Sequence, residues 1–444
     1  MLNKYTMNFL LQLKTNIYNS IKHLWFWRDF IFVLIMLLFI NPKFSFMNQL
    51  FFISLCILWF CFATYCNKKR ILDILKSKLF ILFCLFPLIS ILYWLCGYAL
   101  INKHVLLMPF ILLLSQYYLY EDYKKNLSVI LSFVFLYLFL ISFITLIKLY
   151  STPDLARLLA RGDKEVISSI ITPFTATYAT TYSICLIGIV IFSIGIYLNK
   201  IFMKVSCILV TLYIFFFLFK AAYTISLLIY IFGILLIGCA YLWNYIKNKR
   251  RAFWIILLTA VALLVICFFA RNFIADTILS LQKFAPDIMQ QRRIQEIARL
   301  VRNFGLENEG GMINRFNLYF LSILTFIRNP ILGVGFKEEY LYTSENVLIP
   351  LIGNHSTIFD ILASYGIFGL SYIISIPIYY CSLIKNKAFN NLSILKITLL
   401  LFIILSLINT TENIMFYCAI IFIIPAMIYI LPNYKKSFGK MSRK

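Results

Sequence analysis

The sequence predicts an all-α polytopic membrane protein, and three observations carry that prediction. Hydrophobic residues fill 62% of the 444 positions and charged residues only 13%, with a mean hydropathy of +0.89. A water-soluble domain could not keep so much apolar surface out of solvent. Apolar runs long enough to cross about 30 Å of hydrocarbon recur about twelve times, and the lysines and arginines between them cluster in alternate loops.

The runs fall at 30–46, 50–65, 80–100, 105–120, 129–147, 176–198, 205–219, 221–243, 252–270, 356–380, 392–407 and 414–431. The basic residues gather at Lys4, Lys14, Lys22 and Arg28, then at Lys68, Lys69, Arg70, Lys76 and Lys78. Lys124 and Lys125, Lys200 and Lys204, the segment 247–251, Lys385 and Lys387, and the tail 435–444 continue the alternation. Cation-rich loops mark the cytoplasmic side, so both termini are expected there, which requires an even number of spans. Orientation and anionic-lipid contact account for the formal charge of +24, and nucleic acid is not expected as a partner. The basic stretch before residue 30 lacks a small-residue cleavage site, so the first run is expected to remain as a span. All eleven cysteines lie in or beside apolar runs; neither a disulfide framework nor a cysteine-based zinc site is expected.

This pattern divides the chain into spans one to five (1–149), a first long outer loop (150–175), spans six to nine (176–270), a large helical outer loop between spans nine and ten (271–354), and the last three spans with a cytoplasmic C-terminus (355–444). Long ordered loops usually carry function, which directs attention to the outer face. Within the large loop, 287–303 has helical periodicity, with Ile294, Ile297, Ala298 and Val301 on one side and Arg292, Arg299 and Arg302 opposite. Those arginines either meet lipid phosphates from an interfacial helix or steer an anionic lipid-linked substrate. A second amphipathic helix is expected over 314–328, carrying Arg315 and ended by Asn329-Pro330. Pro330-Ile331-Leu332-Gly333-Val334-Gly335 then implies a tight turn or a close backbone approach. It is not a dinucleotide fingerprint, because no strand-turn-helix context surrounds it.

The candidate chemistry lies where the large loop re-enters the membrane, at Asn354-His355-Ser356. His355 is one of three histidines, and imidazole changes charge near neutral pH. The alternative for it is an interfacial imidazole bonded to a backbone carbonyl. On a helix continuing from His355, the residues Phe359, Leu362, Gly366 and Gly369 share one side, thin enough at the glycines for another helix or a lipid chain to approach. Thr357, Asp360, Ser364 and Ser371 form an opposite polar stripe that should face protein or a wet cavity. Asp360 points away from His355, so no His-Asp dyad is expected.

Arg315, Arg161 and Arg157 are anion-binding candidates, since a guanidinium can grip a pyrophosphate through paired hydrogen bonds. Ion pairing with Asp154, Asp163 or Glu165 is the alternative for Arg157 and Arg161. Lys220, in a short outer turn, is explained by snorkelling to water, and Glu412 by solvation in another turn. The chain has no His-x-x-x-His, no paired Asp motif, no Gly-rich phosphate loop, and no carboxylate in the turn 41–49. Neither a metal nor another cofactor is expected, and activation must arrive with the substrate. The bare turn also speaks against multi-span, metal-dependent glycosyltransferases that use lipid-phosphate sugars.

Together, Arg315 with its apolar helix, the run 330–335, and Gly353-Asn354-His355-Ser356 leading to Asp360, Ala363, Tyr365-Gly366 and Gly369 resemble the bacterial O-antigen ligase and polymerase superfamily, with its Wzy-type polymerases. His355-Ser356 followed by nine residues and Gly366 fits a spacing that ligases and polymerases share. The resemblance implies a GT-C-like, metal-independent, inverting glycosyltransferase of the bacterial cytoplasmic (inner) membrane. It would act at the outer face on undecaprenyl-pyrophosphate-linked glycans as donor and acceptor. Arg315 and Arg161, with Arg157 and Lys220, would hold pyrophosphate; His355 would orient or deprotonate the attacking hydroxyl, supported by Ser356, Asp360 and Gly366. Lys220 departs from the family, where many relatives carry a Ser-Arg pair. The pattern is closest to O-antigen, capsule and exopolysaccharide polymerases, whose partners would include membrane lipids and the pathway's chain-length regulator and flippase. An O-antigen ligase acting on lipid A-core is the alternative. A lipid-linked-sugar flippase fits less well, because the loops are asymmetric and no halves repeat.

Overall fold

A computed structural model of the chain describes residues 23–41, 49–97, 103–119, 123–151, 175–243 except 199 and 222, 254, 258, 268–284, 288–303, 311–335, 340–342, 348–389 except 387, and 392–430. The first part comprises α1 (Leu24–Ile40), α2 (Gln49–Cys66), α3 (Lys68–Leu75), α4 (Lys78–Leu95), α5 (Lys103–Leu106), α6 (Met108–Tyr118), α7 (Lys124–Ser151), α8 (Tyr178–Tyr197), α9 (Ile201–Lys220) and α10 (Thr224–Trp243). Next come α11 (Arg271–Ser280), α12 (Ile288–Asn303), α13 (Gly311–Arg328), β1 (Tyr340–Tyr342), β2 (Leu348–Pro350) and α14 (Thr357–Tyr365). A 3-10 turn (Gly366–Gly369), α15 (Leu370–Lys385), α16 (Leu392–Ile408), α17 (Ile414–Tyr417), a π-helical stretch (Cys418–Ile423) and α18 (Ile424–Ile430) complete it.

Five described helical stretches are long and apolar enough to cross a membrane: Lys78–Leu95, Lys124–Ser151, Tyr178–Tyr197, Ile201–Lys220 and the composite Thr357–Lys385. Counting the bent pair α2–α3, which turns by 115°, makes six. The chain is an integral membrane protein. Each expected run except 252–270, which lies largely outside the described residues, coincides with a helix. These helices expose long apolar side chains such as Leu209, Leu212 and Phe202 outward, as hydrocarbon permits. Inside, the α17–α18 segment is almost wholly buried and α8 mostly so.

Three boundaries depart from expectation for identifiable reasons. The first helix begins at Leu24, not residue 30, so Arg28 lies inside the bundle and not in a basic loop; adjacent Asp29 pairs with it and makes that placement tolerable. The fourth run breaks at Leu107, just before Pro109, which has no N–H to continue a helix across it. The tenth breaks at Gly366, whose φ of +58° no helix accommodates. The large loop, expected to be helical, also contains an antiparallel pair, Tyr340 opposite Pro350 and Tyr342 opposite Leu348.

Arg28 and Lys124 lie at one end of the bundle. Arg28 donates to Tyr117 and Tyr123, and Lys124 lies 4.9 Å from the Tyr429 ring. At the other end, Asn409 donates to Tyr178 and Tyr182, Tyr178 packs on Tyr223, and Lys220 stands 5.1 Å over the Tyr150 ring. His355 belongs to this second end.

Candidate functional site

The sequence around His355 contains its own helix start. Ser356 is the N-cap of α14: its backbone is extended, its Oγ accepts from Phe359 N (3.3 Å), and Asp360 Oδ2 accepts from Ser356 N (2.8 Å). This reciprocal arrangement is a capping box with its acid one residue later than usual. A carboxyl group there also meets the positive end of the helix dipole. Asp360 Oδ1 accepts from Ser322 Oγ (2.6 Å), and Ser322 Oγ in turn accepts from Gly353 N (2.9 Å). One hydroxyl of α13 and one carboxyl of α14 therefore hold both shoulders of the loop 353–356. Ser322 and Ser356 are completely buried and Asp360 nearly so.

Between those shoulders the chain makes a sharp turn. Asn354 has φ +54°, a left-handed conformation that asparagine tolerates. A Cβ on Gly353 would stand 2.3 Å from Leu318 O, so the loop's backbone lies directly on α13. His355 Nδ1 is 2.7 Å from Asn354 O. A carbonyl oxygen only accepts, so Nδ1 donates and the lone pair of the neutral ring is on Nε2. The carbonyl-bonded histidine considered from sequence is what the structure contains, and that bond is what leaves Nε2 basic. Among the described residues, no side chain hydrogen-bonds to Nε2.

Two further contacts fix α14. At its start, Thr357 N donates to Asn409 O (3.1 Å) and Thr357 Oγ1 accepts from Thr411 N (2.6 Å), while the Asn409 amide reaches Tyr178 and Tyr182. At its end, Val334 N and Gly335 N donate to Ala363 O and Ser364 O (both 2.9 Å), and Ile367 N donates to Pro330 O (2.8 Å). The run 330–335 is thus the C-terminal clasp of the histidine helix. A Cβ on Gly333 would fall 2.4 Å from the Ser364 backbone, and one on Gly366 2.3 Å from Ile331 O. The thin side at Gly366 is filled by this turn, not by a helix or a lipid chain, and the single continuous face expected from His355 to Gly369 does not exist. The polar stripe does: Thr357, Asp360, Ser364 and Ser371 are all buried.

The other candidates divide. Position 315 lies on α13 seven residues, about two turns, before Ser322. Arg157 and Arg161 lie outside the described residues, though Lys148 Nζ donates to Thr175 Oγ1 (2.8 Å) and ties the two ends of their segment. Lys220 ends α9 at the His355 end of the bundle, with its ammonium over Tyr150. On α12, Arg302 pairs with Asp276 of α11 on the exposed surface of the two helices. Asp360 forms no dyad with His355: its oxygens are taken by Ser322 and Ser356. Glu412, expected to be solvated, is half-buried and interacts electrostatically with Tyr365, Tyr372 and Tyr417. Sequence reasoning missed Ser322 and Asn409; the only signal for either was a polar residue within or beside an apolar run. Among the described residues, no three His, Cys, Asp or Glu side chains gather as a metal-ligand set.

Residues 221–374 match the family described as O-antigen ligase (Wzy_C). This match places the segment that holds the candidate site in the O-antigen ligase and polymerase superfamily. The matched segment encloses α13 with Arg315 and Ser322, the clasp 330–335, and the loop and helix carrying His355, Asp360 and Gly366. It begins one residue after Lys220, so neither Lys220 nor the arginines of the first loop belong to the shared superfamily segment. No curated protein matches the chain.

Proposed function

We propose that the protein is a polysaccharide polymerase, joining lipid-pyrophosphate-linked repeat units at the outer face of the bacterial cytoplasmic membrane, with both termini in the cytoplasm. The observation that carries this reading is the Ser322–Asp360 bridge, which joins the helix of Arg315 to the loop of His355. In the transfer, the acceptor hydroxyl oxygen attacks the anomeric carbon of the donor from the side opposite the pyrophosphate. His355 Nε2 takes the hydroxyl proton, the C–O bond to pyrophosphate breaks, and undecaprenyl pyrophosphate leaves with the electron pair. Inversion follows from that in-line geometry. Arg315 holds the developing charge of the leaving group, assisted by Arg161, Arg157 and Lys220. Ser356, Asp360 and Gly366 fix the loop and helix that aim the imidazole. No metal is needed, because the leaving group is already activated and the protein mainly aligns and stabilises charge.

A second reading, a ligase moving the finished glycan to lipid A-core, is favoured by the description of the matched family. Purified protein given synthetic lipid-linked repeat units in detergent separates them. A ladder of products supports the polymerase. Transfer only to added lipid A-core supports the ligase, and no transfer to either from a validated donor rejects both.

A further inference from the structure

We propose that Ser322 is a positioning residue for His355, acting through the backbone of the loop and not on substrate. The inference rests on the reading that His355 acts on the acceptor. Ser322 is fully buried on α13, and its single hydroxyl does two jobs. It accepts from Gly353 N on one side of the loop and donates to the Asp360 carboxyl, which accepts from Ser356 N on the other. Only Asn354 and His355 lie between these anchors, and Asn354 is held at φ +54°. The imidazole's bond to Asn354 O depends on that turn, because a change in the Asn354 backbone would swing the carbonyl away from Nδ1. Ser322 therefore controls both the direction of the ring and which nitrogen carries its proton.

The neighbouring anchors act at other atoms. Asn409 and Thr411 hold Thr357, inside α14 and beyond the loop, Ser356 Oγ donates to Ser406 O and Thr325 Oγ1 to Leu351 O, and the clasp 330–335 holds the helix's far end; none of them bonds Gly353 N. Without Ser322, α14 would keep its position but Gly353 N would lose its partner and Asp360 its side-chain donor.

The test uses full-length protein with Ser322→Ala and Ser322→Thr, each checked for membrane insertion and a monodisperse elution profile. Two quantities are measured: kcat and KM with synthetic lipid-linked repeat units, and the rate at which diethylpyrocarbonate modifies His355, followed by mass spectrometry of the peptide. Ser322→Ala is expected to lower kcat by about 10- to 100-fold with KM little changed, as a misaligned catalytic group does. His355 in that variant should react about fivefold faster as the loop loosens. Ser322→Thr, which keeps the hydroxyl, should return both quantities close to wild type. Wild-type kcat in Ser322→Ala, or a fall in kcat with the modification rate unchanged, would overturn the proposal. Should the wild-type protein transfer no glycan, the catalytic reading fails by itself, and the modification rates still decide whether Ser322 holds the loop.

Discussion

The two ends of the bundle each bury a polar cluster, and they differ in what they leave open. At the Arg28 end, Asp29 Oδ1 accepts from Arg28 Nε (2.8 Å) and Tyr118 OH (2.8 Å) and lies 2.7 Å from Arg28 Nη2 as an ion pair, while Oδ2 accepts from Asn126 Nδ2 (2.7 Å). The guanidinium lies 4.7 Å from the Tyr123 ring centre and also within reach of Tyr117 and Tyr118. Charge, hydrogen bonds and aromatic faces are turned inward on one another. At the His355 end, the scaffold of Ser322, Asp360, Thr357 and Asn409 is hydrogen-bonded within itself, but it supports an imidazole whose second nitrogen takes no side-chain hydrogen bond among the described residues. In a membrane interior a closed polar cluster is an anchor, and one that presents a titratable group outward is a candidate for chemistry.

Substitutions can break this contrast, and the largest effect is expected at the open end. Arg315→Ala should abolish polymer in cells while the protein inserts at normal levels, and Arg315→Lys should recover only part of it, since an ammonium lacks the paired donors. Wild-type polymer in Arg315→Ala would remove this arginine from the site. Asp360→Asn should lower turnover by about 10- to 100-fold and destabilise the protein by about 1–3 kcal/mol, because an amide cannot accept from both Ser322 and Ser356 through equivalent oxygens. Turnover and thermal melting in detergent measure the two parts.

Asp29→Ala should act in the opposite sense: melting falls by an amount corresponding to about 3–5 kcal/mol, the cost of leaving a buried guanidinium unpaired, yet turnover per folded molecule stays at the wild-type value. Loss of turnover in the folded fraction would mean that the closed cluster is coupled to the site. The smallest effect is expected for Arg292→Ala, on the exposed face of α12. It should weaken activity only mildly, and complete loss would promote that helix into the substrate site.

Much of the scaffold was legible in the sequence because it follows from local pattern. Apolar runs became helices, the helix expected over 314–328 appears as Gly311–Arg328, and the polar stripe of Thr357, Asp360, Ser364 and Ser371 turned inward as its cost in lipid demands. The parts that were not legible depend on partners distant in the chain. Tyr365-Gly366 reads equally as a slim helix face or a break, and only the carbonyls of Pro330 and Ile331 decide in favour of the break. Ser322 looks like any serine in an apolar helix until Gly353 and Asp360 are placed beside it. Arg28 resembles its basic neighbours; Asp29 beside it is visible in the sequence, but the tyrosines that accept from its guanidinium, Tyr117 and Tyr123, come from far along the chain. Short-range periodicity reveals elements; which polar groups become anchors is settled by tertiary contact.

The most direct test of the central claim is the single-turnover rate of glycosyl transfer by purified His355→Gln protein with a synthetic lipid-linked donor and acceptor. Glutamine preserves a polar side chain of similar reach but offers no basic nitrogen. A rate lowered by about 10²- to 10⁴-fold, the usual worth of a general base, with melting unchanged, is the predicted result. A rate within about twofold of wild type, far smaller than the loss of a base entails, would contradict it and move the chemistry away from this loop.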